Sequence, residues 1–263
     1  MIFAAGLGTR LRPLTDTMPK ALVEVGGKPL LAHVLQRIRQ AGFERAVVNV
    51  HHFPQQIIDY LDSHPLDHLQ VSVSDESDQL LETGGGIRKA FPLFSPDSNI
   101  LIHNVDILSN VDLAGFYEQA QADEATLLVS ERSTSRYLLF DEEMRLVGWT
   151  NIQTGEVRSP YPDLNPKDYR AYAFSGIHVI SPRLVAAMDT WPSRFGIIDF
   201  YLAVCGKCRI RGIVKPDLRL LDVGKIDSLH EAGEFLKTLQ PSQVEQTSPS
   251  PSTPIPLPPG EAR

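Results

Sequence analysis

Cysteine is scarce in this chain: two occur among 263 residues. That excludes a disulfide framework and makes a reducing cytoplasm the simpler compartment to expect. No apolar run approaches the roughly 18–20 residues needed to cross a bilayer. The N-terminal stretch also lacks the charged region, apolar core and small-residue cleavage site of a secretory signal. Positive charge is not in excess either. Lys and Arg number 25 against 32 Asp and Glu, a net charge of −7 with both signs interspersed, so neither nucleic acid nor an anionic membrane is expected as a partner. Internal repeats are lacking, and so is a Ser-His-Asp or Cys-His grouping that would supply a protein nucleophile. What is present is 42% hydrophobic residues, enough to bury a sizeable core without a metal or disulfide to hold it together.

Met1–Ala5 reads as a strand running into a glycine loop. The spacing of Leu30, Leu31, Val34, Leu35 and Ile38 predicts a helix from about Lys28 to Ala41, with Pro29 at its first position and Gly42 ending it. Strands are expected at Arg45–Val50, Gln70–Ser74, Asn99–Asn104 and Ala125–Glu131. Helices are expected at Pro54–Asp62, Thr83–Phe91 and, capped by Asp112, to Ala122. This alternation implies crossover units and a mostly parallel sheet covered on both faces. Farther on, Tyr137–Phe140 and Leu146–Trp149 suggest a hairpin. Strands at Ala173–Ile180, Arg209–Val214 and Arg219–Leu221 and helices at Ile197–Val204 and Ile226–Leu239 complete the fold. The domain thus spans 1–239. Residues 240–263, crowded with Pro, Ser and Thr, read as a disordered tail.

Chemistry concentrates in Ala4-Ala5-Gly6-Leu7-Gly8-Thr9-Arg10-Leu11-Arg12-Pro13-Leu14-Thr15, followed by Pro19-Lys20-Ala21-Leu22. Glycines after a first strand let the backbone turn its N–H groups toward an anion. No G-K-[ST] follows, so this is not a P-loop, and the third glycine of a dinucleotide fingerprint is absent. Arg10 and Lys20 add fixed positive charge, as a departing pyrophosphate requires. Asp106 and Asp222 each follow an expected strand and should emerge at the carboxyl edge of the sheet, where a pair of carboxylates suits magnesium.

The whole pattern resembles the sugar-1-phosphate nucleotidylyltransferase family, in particular its short bacterial members. The resemblance rests on the first glycine loop, Pro19-Lys20, Val25-Gly26-Gly27-Lys28-Pro29-Leu30, Leu81-Glu82-Thr83-Gly84-Gly85-Gly86, Asn104-Val105-Asp106 and Leu221-Asp222-Val223-Gly224. It implies a Rossmann-like three-layer αβα fold and transfer of a nucleotidyl group from a nucleoside triphosphate to a sugar-1-phosphate. UTP with an N-acetylmuramate-like sugar phosphate comes first, and GTP with mannose- or heptose-1-phosphate next. The roles it implies are nucleotide binding by Ala5, Gly6, Gly8, Thr9, Thr83, Gly84 and Gly85, with the last three bordering base and ribose. Arg10, Lys20 and Asp106 would serve catalysis, and Asp106 and Asp222 would hold Mg2+. Asn104, Gly176 and Lys225 would face the substrate in a monomer or small homo-oligomer. A phosphocholine-type acceptor and a non-catalytic regulatory subunit are the alternatives.

One family feature is missing. The Glu-Lys-Pro segment whose lysine contacts the sugar phosphate has no counterpart, which leaves Arg136, Arg158, Lys167 or Lys225 as substitutes. Cys205-Gly206-Lys207-Cys208 reads as the end of a helix with Gly206 as C-cap, not as a redox or zinc pair. His51-His52 follows a strand near the active edge.

Overall fold

Adjacent residues of one strand enter opposite hydrophobic clusters. Ala46, Val48 and Val50 belong to one, whereas Val47 belongs to the other; Leu101 likewise parts from Ile100 and Ile102. This period of two, buried on both sides, means that the strands form a middle layer with helices above and below. The computed structural model describes residues 1–239; the tail expected at 240–263 lies outside them.

In chain order the elements are β1 Ile2–Phe3, β2 Glu24–Val25, β3 Lys28–Pro29, α1 Leu30–Gln40, β4 Arg45–Val50, α2 Pro54–Ser63, β5 Gln70–Asp75, α3 Glu82–Ala90, β6 Ile100–Asn104 and β7 Ile107–Ser109. They continue as α4 Leu113–Gln119, β8 Ala125–Ser130, β9 Arg136–Phe140, β10 Leu146–Asn151, β11 Glu156–Arg158, β12 Arg170–Ile180, α5 Pro182–Ala186, α6 Ile197–Val204, β13 Ile210–Val214, β14 Leu220–Asp222 and α7 Ile226–Leu239. The main sheet runs β11-β10-β9-β12-β6-β1-β4-β5, with β8 on β12 and β13 on β8. Strands β6, β1, β4 and β5 are mutually parallel, as are β8 and β13. Strand β12 joins these sets antiparallel and extends into the β9–β10 hairpin. Two-stranded ribbons β2–β3 and β7–β14 flank the sheet.

One helical layer is built on α1, α2, α4 and α7, whose buried residues join the cluster containing Ile2 and Val48. The other is built on α3, α5 and α6, packed with Met1, Val47 and Leu127. Helix α1 begins one residue later than its sequence suggests: Pro29 pairs with Glu24 in the β2–β3 ribbon and stands before the first turn. Asp112 does cap α4, accepting from Gly115 N at 3.1 Å. Cys205, not Gly206, is the cap residue of α6.

Candidate active site

Strand β1 ends at Phe3, so the glycine loop leaves from the middle of the sheet. Its local shape follows from contacts around Gly8. That residue lies at φ +63, and a β-carbon there would stand 2.8 Å from Thr15 Cγ2 and 3.1 Å from Lys20 Cβ. The Thr15 hydroxyl donates to Gly8 O at 2.8 Å. A helical turn, Thr9–Leu11, follows and is pinned by fully buried Leu11. Arg10 is thereby directed toward Gly224, whose missing side chain leaves room for the guanidinium: a β-carbon there would meet Arg10 Nη2 at 2.7 Å and Asp222 Oδ1 at 2.6 Å.

The two aspartates meet at the β7–β14 ribbon. Asp106 precedes β7, Asp222 ends β14, and Asp222 pairs in register with Ile107. Val223 N donates to Asp106 O at 2.8 Å. Lys20, from the other side, donates its ammonium to the Asp106 carboxylate. Burial raises the pKa of the Asp222 carboxyl above its ordinary value, and the neighbouring Asp106 charge adds to this, while Lys20, Arg10 and Arg132 pull it back. Among the described residues no group of three or more His, Cys, Asp or Glu side chains gathers as a metal cage.

Asp106, Lys20, Arg10 and the glycine loop line a cleft of about 490 Å³, and Asp222 lies beside it, outside the lining. Ala5, Gly6, Gly8, Thr9, Arg10, Lys20, Thr83, Asn104 and Asp106 all face it, as do Glu82, Gly196 and Gly224. Gly84 and Gly85 do not. They are buried in the first turns of α3, where a β-carbon on Gly84 would stand 2.2 Å from the Phe195 ring and one on Gly85 2.3 Å from Ser193 O. Their N–H groups donate to Phe195 O. Their smallness serves helix packing against 193–195. Thr83 links the same segments, its Oγ1 accepting from Ile197 N at 2.8 Å.

Gly176 lies behind the cleft at φ +78, where β12 bulges against β8; a β-carbon there would strike Asn104 Nδ2 at 2.6 Å. It therefore shapes the seat of Asn104 instead of lining the cleft. Lys225 follows Gly224 and is exposed outside the lining. Of the substitute cations, Arg158 is engaged by Asp199 at 2.5 Å and lies over Trp149. His51 and His52 bond to Glu76 O and Thr15 O and do not line the cleft.

Two polar lining residues escape the motif reading, Asn49 and Glu76. Asn49 Oδ1 accepts from Ala4 N at 2.8 Å and Ala5 N at 3.3 Å, and its Nδ2 donates to Glu76 Oε1 at 2.7 Å. A polar residue inside the β-branched run 46–50 is the signal that could have found the first. Glu76 sits one residue past β5, the same carboxyl edge.

A family model described as nucleotidyl transferase matches residues 1–137. The chain belongs to the nucleotidyl transferase family. It is 32% identical over 231 residues to an N-acetylmuramate alpha-1-phosphate uridylyltransferase of Caulobacter vibrioides, covering 83% of this chain and 88% of that one. It is 41% identical over 122 residues to a protein of the same name from Neisseria meningitidis, covering 46% and 52%. Among solved structures, HddC from Yersinia pseudotuberculosis complexed with GMP-PN shares the fold. Its TM-score is 0.70 at 21% identity, over 89% of this chain and 97% of that one. In this nucleotidyltransferase most of the cleft lining lies within the matched residues 1–137.

Proposed function

We propose that the cleft transfers a uridylyl group from UTP to an N-acetylmuramate-like sugar-1-phosphate and releases pyrophosphate. The observation that carries this reading is the convergence of Arg10, Lys20, Asp106 and Asp222 beside one glycine loop. The similarity to a uridylyltransferase of that sugar, over most of both chains, supports the choice of base and acceptor.

Asp106 and Asp222 fit magnesium. The Asp106 charge opposes ionisation of Asp222, and this hard cation commonly takes one or two carboxylates, completing its shell with phosphate oxygens and water. Bound there, magnesium would offset charge on the reacting phosphates. The chain's own groups do the rest. Backbone of Gly6, Gly8 and Thr9 borders the triphosphate, while Arg10 and Lys20 neutralise the charge that grows on the leaving pyrophosphate. Asn104 and the Gly176 bulge behind it shape the acceptor side. The sugar phosphate, with a second pKa of about 6, is largely dianionic at neutral pH and is itself the nucleophile. Its oxygen bonds to the α-phosphorus as the bond to the α,β-bridging oxygen breaks, and that electron pair leaves with pyrophosphate. No protein nucleophile takes part; the catalytic work is positioning two anions and spreading their charge.

Pyrophosphate release, measured with magnesium, each common nucleoside triphosphate and a panel of sugar-1-phosphates, tests this. The expected result is release that requires UTP and N-acetylmuramate-1-phosphate. Release only with GTP and mannose- or heptose-1-phosphate would replace both substrates, and none from any pair would overturn the reading.

A further inference from the structure

Asn49 and Glu76 are buried, at 2% and 0% exposure, yet both border the cleft. Together they span it. On one side Asn49 Oδ1 holds the amides of Ala4 and Ala5, where the glycine loop begins. In the middle Asn49 Nδ2 donates to Glu76 Oε1 at 2.7 Å. On the far side Glu76 Oε2 accepts from Leu81 N at 3.1 Å, at the entry to α3 and its Glu82-Thr83 wall. Gly86 closes over the joint, since a β-carbon there would meet Glu76 Oε1 at 2.8 Å and Asn49 Nδ2 at 3.3 Å. Among the described residues no cation pairs with Glu76; its hydrogen-bond donors are an amide and a backbone N–H.

A buried carboxylate is costly unless its hydrogen bonds are satisfied. A fully satisfied buried network fixes one arrangement of the parts it joins. Here the parts joined are the phosphate loop and the wall facing it. We propose that Asn49 and Glu76 are positioning residues for the nucleotide, a strut that sets the spacing between the glycine loop and α3. This inference rests on the nucleotide reading of the cleft. It assigns the pair no contact with the sugar phosphate and no charge contact with the nucleotide.

Reversing the hydrogen bonds tests it. In Asn49→Asp two carboxylates face each other. In Glu76→Gln one amide nitrogen must face a donor. Combining the two substitutions exchanges the partners' roles. The carboxylate now at position 49 accepts from the loop amides and from the side-chain amide now at position 76. The oxygen of that amide accepts from Leu81 N, so every bond is restored with the charge moved across the joint. UTP binding in magnesium is read by calorimetry, with GTP in parallel and with KM for the sugar phosphate measured alongside. Each single substitution is expected to weaken nucleotide binding about tenfold or more, while KM for the sugar phosphate changes little. The double variant is expected to recover to within about threefold of wild type. A folded double variant as weak as Glu76→Gln would show that the charge itself is needed and overturn the strut. Single variants that bind like wild type would overturn it equally. If wild type binds no triphosphate, the function proposed above fails. Hydrogen exchange then still decides the strut: protection at Ala4, Ala5 and Leu81 amides is lost in the single variants and regained in the double, or the inference is wrong.

Discussion

Lys20 donates from its ammonium to the Asp106 carboxylate, tying the glycine loop to the end of β6. With side chains 11% and 19% exposed, the pair is sheltered at the cleft and is no ordinary surface bridge. Lys20→Met removes the cation that the proposed reaction sets against the leaving pyrophosphate. Turnover is expected to fall by about 10²–10³-fold, with circular dichroism unchanged. Near-normal kcat in a folded variant would take Lys20 out of the chemistry.

Asp222 titrates above an ordinary aspartate, first through burial and then through the Asp106 charge. A carboxyl raised in the folded state favours the fold when protonated, and that gain is lost as pH rises through its folded pKa. At neutral pH the metal-free protein therefore carries the cost of the ionised form. Asp222→Asn should melt no lower than wild type in chelator at about pH 7, yet lose the magnesium-induced rise in Tm and all magnesium-dependent turnover. A variant that keeps the magnesium response would remove Asp222 from the proposed metal site.

Gly84→Ala forces a β-carbon into the Phe195 ring. Overpacking of this kind costs about 1–3 kcal/mol. Because the clash is with one side chain, Gly84→Ala combined with Phe195→Ala should lose less stability than the two losses summed. Strict additivity in urea unfolding would place the strain elsewhere.

Much of this arrangement was legible in the sequence. Helices α6 and α7 begin where their apolar spacing does, with Gly196 as the N-cap of α6 and Gly224 just ahead of α7. Strands β1, β4, β5, β6 and β8 stand out as apolar or alternating runs, so most of the parallel part of the sheet could be read directly, whereas β2, β3 and β7 are too short to announce themselves. The roles of Gly84 and Gly85 could not. A glycine announces that a side chain is absent, not what fills the space, and Phe195 arrives from a distant segment. The Asn49–Glu76 joint was hidden for a related reason. Glu76 stands in a Ser- and Asp-rich stretch that resembles any solvated loop, and only the parallel pairing of β4 with β5 brings it beside Asn49.

His178 is fully buried beside Tyr201, with both ring nitrogens unpartnered among the described residues, and burial pushes its pKa down from 6.5 to about 3. His103, also buried, falls to about 4. The unfolded chain takes up protons below about pH 6.5 that the folded chain refuses. Stability is therefore intact above that pH and drains as pH falls toward the folded values. In denaturant unfolding, His178→Leu should lose less stability than wild type between about pH 7 and about pH 4.5. An unchanged slope would mean that this ring is not what makes the fold sensitive to acid.

The β7–β14 ribbon also gives the site a place in time. Asp106 and Asp222 stand far apart in the chain, Asp222 being the later to be synthesised, and only antiparallel pairing of these two short strands sets them side by side. A nascent or truncated polypeptide stopped before β14 already carries the glycine loop, Lys20, the strut and the α3 wall, but holds one aspartate alone. On the proposed reaction, turnover then begins when β14 docks and not when the sheet first forms.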